Sequence, residues 1–159
     1  MSIHVVLVHP EIPGNTGNVG RSCLAAGATL HLVKPLGFSL DDRRVRRAGL
    51  DYWEHVDVRV WESWDEFERA LPGLGEAYFF STKGRQLLWD VALGATEDVV
   101  LVFGRETGGF AASIHERYGD RLVAMPILSQ HVRSLNLSTS VGIALYETLR
   151  HRRSGLHCP

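Results

Sequence analysis

Val99-Val100-Leu101-Val102-Phe103, followed at once by Gly104-Arg105-Glu106-Thr107-Gly108-Gly109, is the stretch from which the fold can be read. Five apolar residues in a row leave no polar face, so this strand is covered on both sides, as strands of parallel sheets are. Such a strand belongs near the centre of its sheet. The glycine-rich turn sits at its carboxyl end, the place where α/β sheets bind ligands. Gly104, Gly108 and Gly109 offer bare backbone, and Glu106 is the one carboxylate of the turn. Glu106 reads in two ways, as a cap for the following helix or as a partner for a polar or cationic ligand group.

Working outward, two more islands have the same character. Pro10-Glu11-Ile12-Pro13-Gly14-Asn15-Thr16-Gly17-Asn18 follows a β-branched run at 3–8, and Arg133-Ser134-Leu135-Asn136-Leu137-Ser138 precedes the last apolar-periodic segment. Three such loops in a small chain predict convergence on one site at one end of a sheet. Further strands are expected at 29–33, 57–61, 77–80 and 122–125. Helices are expected at 14–27, with Asn15 or Thr16 as N-cap, then at 40–48, from Ser63 through 71, at 111–118 and at 136–150. Strands alternating with helices predict an α/β class, a mostly parallel sheet with helices on both faces. One domain is expected over 1–153, with 154–159 as a loosely ordered tail.

The 159 residues, 45% hydrophobic and 22% charged, suit a globular chain with a real core. No apolar run reaches the roughly 18 residues of a membrane span, and no charged leader precedes the first strand. Cys23 and Cys158 form neither a CxxC nor a disulfide framework, which suits a reducing cytoplasm. The net charge of −1 argues against a surface that binds nucleic acid all round. Charge is nevertheless local: Arg43, Arg44, Arg46 and Arg47 crowd one short segment, and Arg150, Arg152 and Arg153 another. Each cluster reads either as a solvated face or as a phosphate-binding surface.

Within the islands, Asn15 and Asn18 can donate and accept, and Ser134, Asn136 and Ser138 exceed what one helix cap requires. Arg21, in the first turns of the helix expected at 14–27, opposes its dipole, which a bound phosphate would explain; an ordinary surface arginine is the alternative. His4 and His31 lie on strands and read as packed or edge residues. No metal-ligand spacing, dinucleotide fingerprint, Walker A loop or nucleophile elbow is present.

Taken together, Asn15-Thr16-Gly17-Asn18-Val19-Gly20-Arg21, Phe103-Gly104-x-Glu106-x-x-Gly109 and Ser134-Leu135-Asn136-Leu137-Ser138 resemble the three motifs of the SPOUT RNA 2′-O-methyltransferases. The likeness is to the branch that methylates the ribose of the wobble cytidine or uridine in tRNA. Lys34-Pro35-Leu36-Gly37-Phe38, Arg46-Arg47-Ala48-Gly49-Leu50-Asp51-Tyr52, Ser81-Thr82-Lys83-Gly84 and Tyr146-Glu147 fit the same branch. The resemblance implies a C-terminal deep trefoil knot. It implies an S-adenosylmethionine pocket formed by Phe80, Thr82, Gly104, Met125, Ile127, Ser134 and Leu135, with S-adenosylhomocysteine as product and no metal. Arg21, Asn15, Glu106, Ser134 and Asn136 are the implied catalytic set, and the arginines at 43, 44, 46 and 47 the implied tRNA contacts. The family works as a cytoplasmic homodimer, with Asn15 and Arg21 near the partner's cofactor; neither membrane nor DNA is an expected partner. The chain departs from the pattern at Arg105, where a small residue or proline is usual, and at Gly108, where a basic residue is common. Its 126–133 loop is one residue longer. An RNA ribose methyltransferase with another target, such as ribosomal RNA, and a non-catalytic RNA-binding module remain the alternative readings.

Overall fold

Among the described residues, every strand pairing is parallel. The computed structural model describes residues 1–47 and 52–152. Its strands are β1 (Ile3–Val8), β2 (Thr29–Val33), β3 (Val58–Trp61), β4 (Glu76–Phe80), β5 (Gln86–Leu87), β6 (Val99–Phe103) and β7 (Leu122–Ala124). They form one seven-stranded sheet in the order β3-β2-β1-β6-β4-β7-β5, with β6 in the middle as its composition requires. The helices are α1 (Pro13–Ala26), α2 (Arg43–Arg47), α3 (Trp64–Ala70), α4 (Ala112–Arg117) and α5 (Leu137–His151).

Alternation along the strands divides the core in two. Val5, Leu7, Leu101 and Phe103 face α1 and α5, burying Val19, Cys23, Val141 and Leu145. Val6, Val8, Val100 and Val102 face the other way, against Phe67 of α3 and Ile114 of α4. The α/β class and the two-faced cover agree with the sequence reading.

Several local expectations change. Asn15 and Thr16 do not cap α1: the helix begins at Pro13, and Ile12 stands at the cap position with no side-chain bond. Proline at the first helical position brings its own φ and lacks the N–H that would need a partner. α2 begins at Arg43 and not at the predicted 40, and Asp42 accepts from the Arg44 N–H at its start. Ser63 does cap α3, accepting from the Glu66 N–H. Asn136 is the N-cap of α5 and not its first turn. The two-residue strand β5 and the 3-10 turns at Trp53–His55 and Leu88–Asp90 carried no readable period. The predicted tail at 154–159 and the 48–51 stretch lie outside the described residues, as do the side chains of Arg46 and Arg47. Among the described residues, no helix is long and apolar enough to cross a membrane, and no group of three or more His, Cys, Asp or Glu could hold a metal ion.

Candidate functional site

The three islands meet. Glu106, on the turn after β6, accepts from the N–H of Glu11 at 2.8 Å, the N–H of Ile12 at 3.1 Å and the side-chain amide of Asn15 at 3.2 Å. It therefore closes the entry to α1, in the first island, and does not cap the helix that follows its own turn. The favour is returned. Glu11 accepts from the Thr107 hydroxyl, at 2.8 and 2.7 Å to its two oxygens, and from the Thr107 N–H at 3.2 Å. Each loop thus satisfies the other's free backbone donors through a carboxylate, the stronger kind of hydrogen bond.

The third island joins through Asn136, whose amide donates to Asn15 Oδ1 at 3.0 Å. Asn136 Oδ1 in turn accepts from Ser138 N–H and Oγ at the start of α5. The bonds run in one direction, from Ser138 through Asn136 and Asn15 to Glu106, and this order sets the orientation of both amides.

Beside this brace lies a cavity of about 720 Å³ at the carboxyl ends of β4, β6 and β7. Its size is that of small-molecule sites. Phe80 and Phe103 stack within it, ring centroids 4.6 Å apart and planes 8° from parallel. Met125, Ile127 and Leu135 add apolar wall; Thr82, Ser134 and the Gly104 backbone add polar atoms. Gly104 is a packing necessity as well: a Cβ there would overlap the Gly109 carbonyl carbon and come 2.7 Å from Phe110 N. All seven residues expected to hold the cofactor line this one cavity, together with Asn15, Glu106 and Asn136.

Two of the expected groups of residues lie elsewhere. Arg21 is exposed on α1 and does not line the cavity. Its neighbour is Tyr52, whose hydroxyl donates to Gly17 O at 2.7 Å; burial raises the Tyr52 pKa while the Arg21 charge works to lower it. Arg43 and Arg44 are exposed on α2, which packs beside α1, and Arg44 pairs with Asp42 at 2.8 Å. Asn15, expected near a partner's cofactor, lines the cavity of its own chain because Glu106 and Asn136 hold it there.

Sequence reasoning missed Ser81, bonded to the His115 ring at 3.0 Å on the cavity wall, and the bracing role of Glu11. Glu11 did carry a signal, an acid in one glycine-rich loop matching an acid in another. His115 carried none, since a lone histidine on a helix names no neighbour.

The chain is similar to known proteins along nearly its whole length. A tRNA (cytidine(34)-2′-O)-methyltransferase of Burkholderia cenocepacia is 46% identical over 149 residues, covering 92% of this chain and 94% of that one. A solved structure described as "Structural insights into the 2-OH methylation of C/U34 on tRNA" superposes with a TM-score of 0.88 at 41% identity, covering 96% of this chain and 97% of the other. An AdoMet-bound rRNA methyltransferase from Sinorhizobium meliloti gives a TM-score of 0.84 at 25% identity, over 94% of this chain and 56% of that one. The SpoU rRNA Methylase family profile matches residues 2–146, nearly the whole braced sheet and its loops, and the chain belongs to that family.

Proposed function

We propose that the protein is a tRNA methyltransferase that moves a methyl group from S-adenosylmethionine to the ribose 2′-oxygen of the wobble cytidine or uridine. The observation that carries this reading is the meeting of all three islands around one cavity of cofactor size. The relatives named for this reaction align along nearly their whole length.

The residues present fit the cofactor. The Phe80–Phe103 stack and the side chains of Met125, Ile127 and Leu135 suit an adenosine face. Backbone at Gly104 and the hydroxyls of Thr82 and Ser134 suit its polar edges. When bound, the sulfonium supplies an electrophilic methyl group, so the transfer needs no metal. The protein's work is to align donor and acceptor oxygen, which supplies several kcal/mol of the barrier reduction. The Glu106–Asn15–Asn136 brace does this by fixing the three loops relative to one another. The acceptor is a 2′-hydroxyl, so DNA offers nothing to methylate.

Arg21 cannot serve as an ordinary base, because guanidinium stays protonated. It acts by holding a phosphate of the substrate and stabilising the alkoxide that forms as the ribose 2′-hydroxyl gives its proton to solvent; the oxygen then takes the methyl group and the sulfur leaves as the neutral thioether of S-adenosylhomocysteine. Its place outside its own chain's cavity supports a homodimer in which it serves the partner's site. Exposed apolar side chains at the start of α1 and on α5, which packs against it, support the same reading: Ile12 is 46% exposed, Ile143 40% and Tyr146 58%. Arg43, Arg44, Arg46 and Arg47 would bind the tRNA backbone along α2, in the cytoplasm where tRNA is modified. A trefoil knot is supported by strand order: β7 lies between β4 and β5, which are consecutive in the chain, and Gly84 of their connection crosses so close to β7 that a Cβ would come 2.6 Å from Ala124 N.

The test is methyl transfer from labelled S-adenosylmethionine to tRNA from a strain lacking this protein, mapped by nuclease digestion and mass spectrometry. Label on the 2′-oxygen of a wobble pyrimidine is expected. Arg21→Ala should fold and bind cofactor normally yet lose at least about a hundredfold in rate, the scale of one lost charge-stabilising donor. Label on ribosomal RNA instead would overturn the substrate, and a fully active Arg21→Ala would overturn the role of Arg21.

A further inference from the structure

The mouth of the cavity carries more positive charge than the cofactor can use. Lys83, Arg105 and Arg133 all line it and all are exposed. Glu106 is the only carboxylate among the lining residues, and its oxygens are taken up by Glu11, Ile12 and Asn15. The next carboxylate along the loops, Glu11, is taken up by Thr107. Among the described residues, none of the three cations forms an ion pair. In a chain whose net charge is −1, this is a local excess.

Arg105 is the best placed of the three. Its backbone is pinned by the Gly109 N–H, which donates to Arg105 O at 3.0 Å, and the two residues form an isolated antiparallel bridge. Its guanidinium lies across Gly108: a Cβ built on Gly108 would meet Arg105 Nε at 3.7 Å and Nη2 at 3.8 Å and nothing else within 4 Å. The loop therefore presents a cationic fork beside bare backbone, near the space a Gly108 side chain would take. S-adenosylmethionine carries a sulfonium and an ammonium against a single carboxylate, so it can pair with one of the three cations at most and leaves the others without a partner. A phosphodiester strand is the ligand whose charge matches, and arginine binds phosphate oxygens in pairs.

We propose that Arg105, flanked by Lys83 and Arg133, binds a backbone phosphate next to the target nucleotide and so sets the register of the RNA strand over the cavity. This rests on the reading of the protein as an RNA ribose methyltransferase. Arg105 is a positioning residue, acting on the strand and not on the transferred methyl group.

The experiment compares the full-length wild type with Arg105→Ala and Arg105→Lys. It measures binding of bulk tRNA across a salt series, binding of S-adenosylmethionine by calorimetry, and the KM and kcat of methyl transfer. For Arg105→Ala, tRNA binding about tenfold weaker is expected, the loss of one charge-assisted contact. The slope of log affinity against log salt should fall by about 1. Cofactor affinity should stay unchanged, and the defect should appear in KM for tRNA more than in kcat. Arg105→Lys should restore the salt slope but only part of the affinity, since an ammonium lacks the fork. Weakened cofactor binding with an unchanged salt slope would overturn the proposal in favour of a cofactor contact. Unchanged tRNA and cofactor binding in Arg105→Ala would overturn it outright while leaving the methyltransferase reading intact. A wild type that binds cofactor but neither binds nor methylates tRNA would overturn that reading and the proposal together.

Discussion

Glu106 accepts three donors, two of them backbone N–H groups of another loop. A carboxylate used in this way braces the site and is not left over to act as a base. Replacing it by glutamine keeps the shape but turns one acceptor into a donor facing donors. Glu106→Gln should cost about 1–3 kcal/mol of stability, the penalty of unmatched groups. Urea denaturation would measure this, and the rate of methyl transfer should fall alongside because the loops lose their alignment. A variant with unchanged midpoint and unchanged rate would contradict the brace. Residue types at the site were legible beforehand, since glycine, asparagine, serine and one acid in a loop announce polar, close-approach chemistry. Their partners were not: Asn15 reaches Glu106 91 residues away and is reached by Asn136 from 121 residues away. Nothing in a local window encodes such a pairing.

Elements differ in how much of their start is written in their own sequence. α3 is self-sufficient, because Ser63 accepts the Glu66 N–H within the same turn. Ser63→Ala should therefore cost about 1 kcal/mol, the usual worth of such a cap, and leave methyl transfer unchanged. α5 starts on Asn136, which caps its own helix and also ties it to α1 through Asn15. Asn136→Ala should cost at least as much as Ser63→Ala and lower activity too, so the pair of variants separates a cap from a cap with a second duty. Thermal unfolding with parallel rate measurements would check both. α1 has no side-chain cap of its own, and the loop ahead of it is closed from the β6 turn. A propensity argument placed its cap at Asn15 or Thr16 because it looked for a local acceptor, whereas tertiary structure supplied a distant one.

At the scale of the molecule, the second core layer contains a buried polar chain away from the cavity. Trp61 Nε1 donates to His31 Nδ1 at 3.0 Å, and His31 Nε2 lies 3.0 Å from His4 Nδ1. Indole is a donor only, so His31 carries its proton on Nε2 and passes a hydrogen bond to His4, then to Ser2 and Asp98. Both rings have pKa values below the ordinary imidazole range, which favours their neutral forms at pH 7. Burial, then the neighbouring His4 and Arg59, push His31 down to about 3 despite Asp57; burial and Arg59 also lower His4 against the pull of Asp98 and Asp57. The unfolded chain takes up these protons as pH falls through about 6.5, while the folded chain resists, so acid favours unfolding. Stability should be full above pH 7 and decline below about 6.5, by up to about 1.4 kcal/mol per pH unit for His31, that decline ending near pH 3, with His4 acting in the same direction. Urea midpoints at pH 7.5, 6 and 5 would test this, and equal midpoints would refute it. The strand reading had placed both histidines as packed or edge residues; packed is the outcome, with a partner no strand pattern could name. By itself, the sequence determined the alternation of strands and helices, the central place of Val99–Phe103 and the three loops of the site, because hydrophobic period and turn chemistry act over a few residues. Tertiary structure alone decided that β7 lies between β4 and β5, that Glu106 is consumed as a brace, and that Arg21 stands outside its own cavity while Arg105 lines it with no ion pair among the described residues. Those outcomes depend on which distant groups meet, and that follows from packing the whole chain at once.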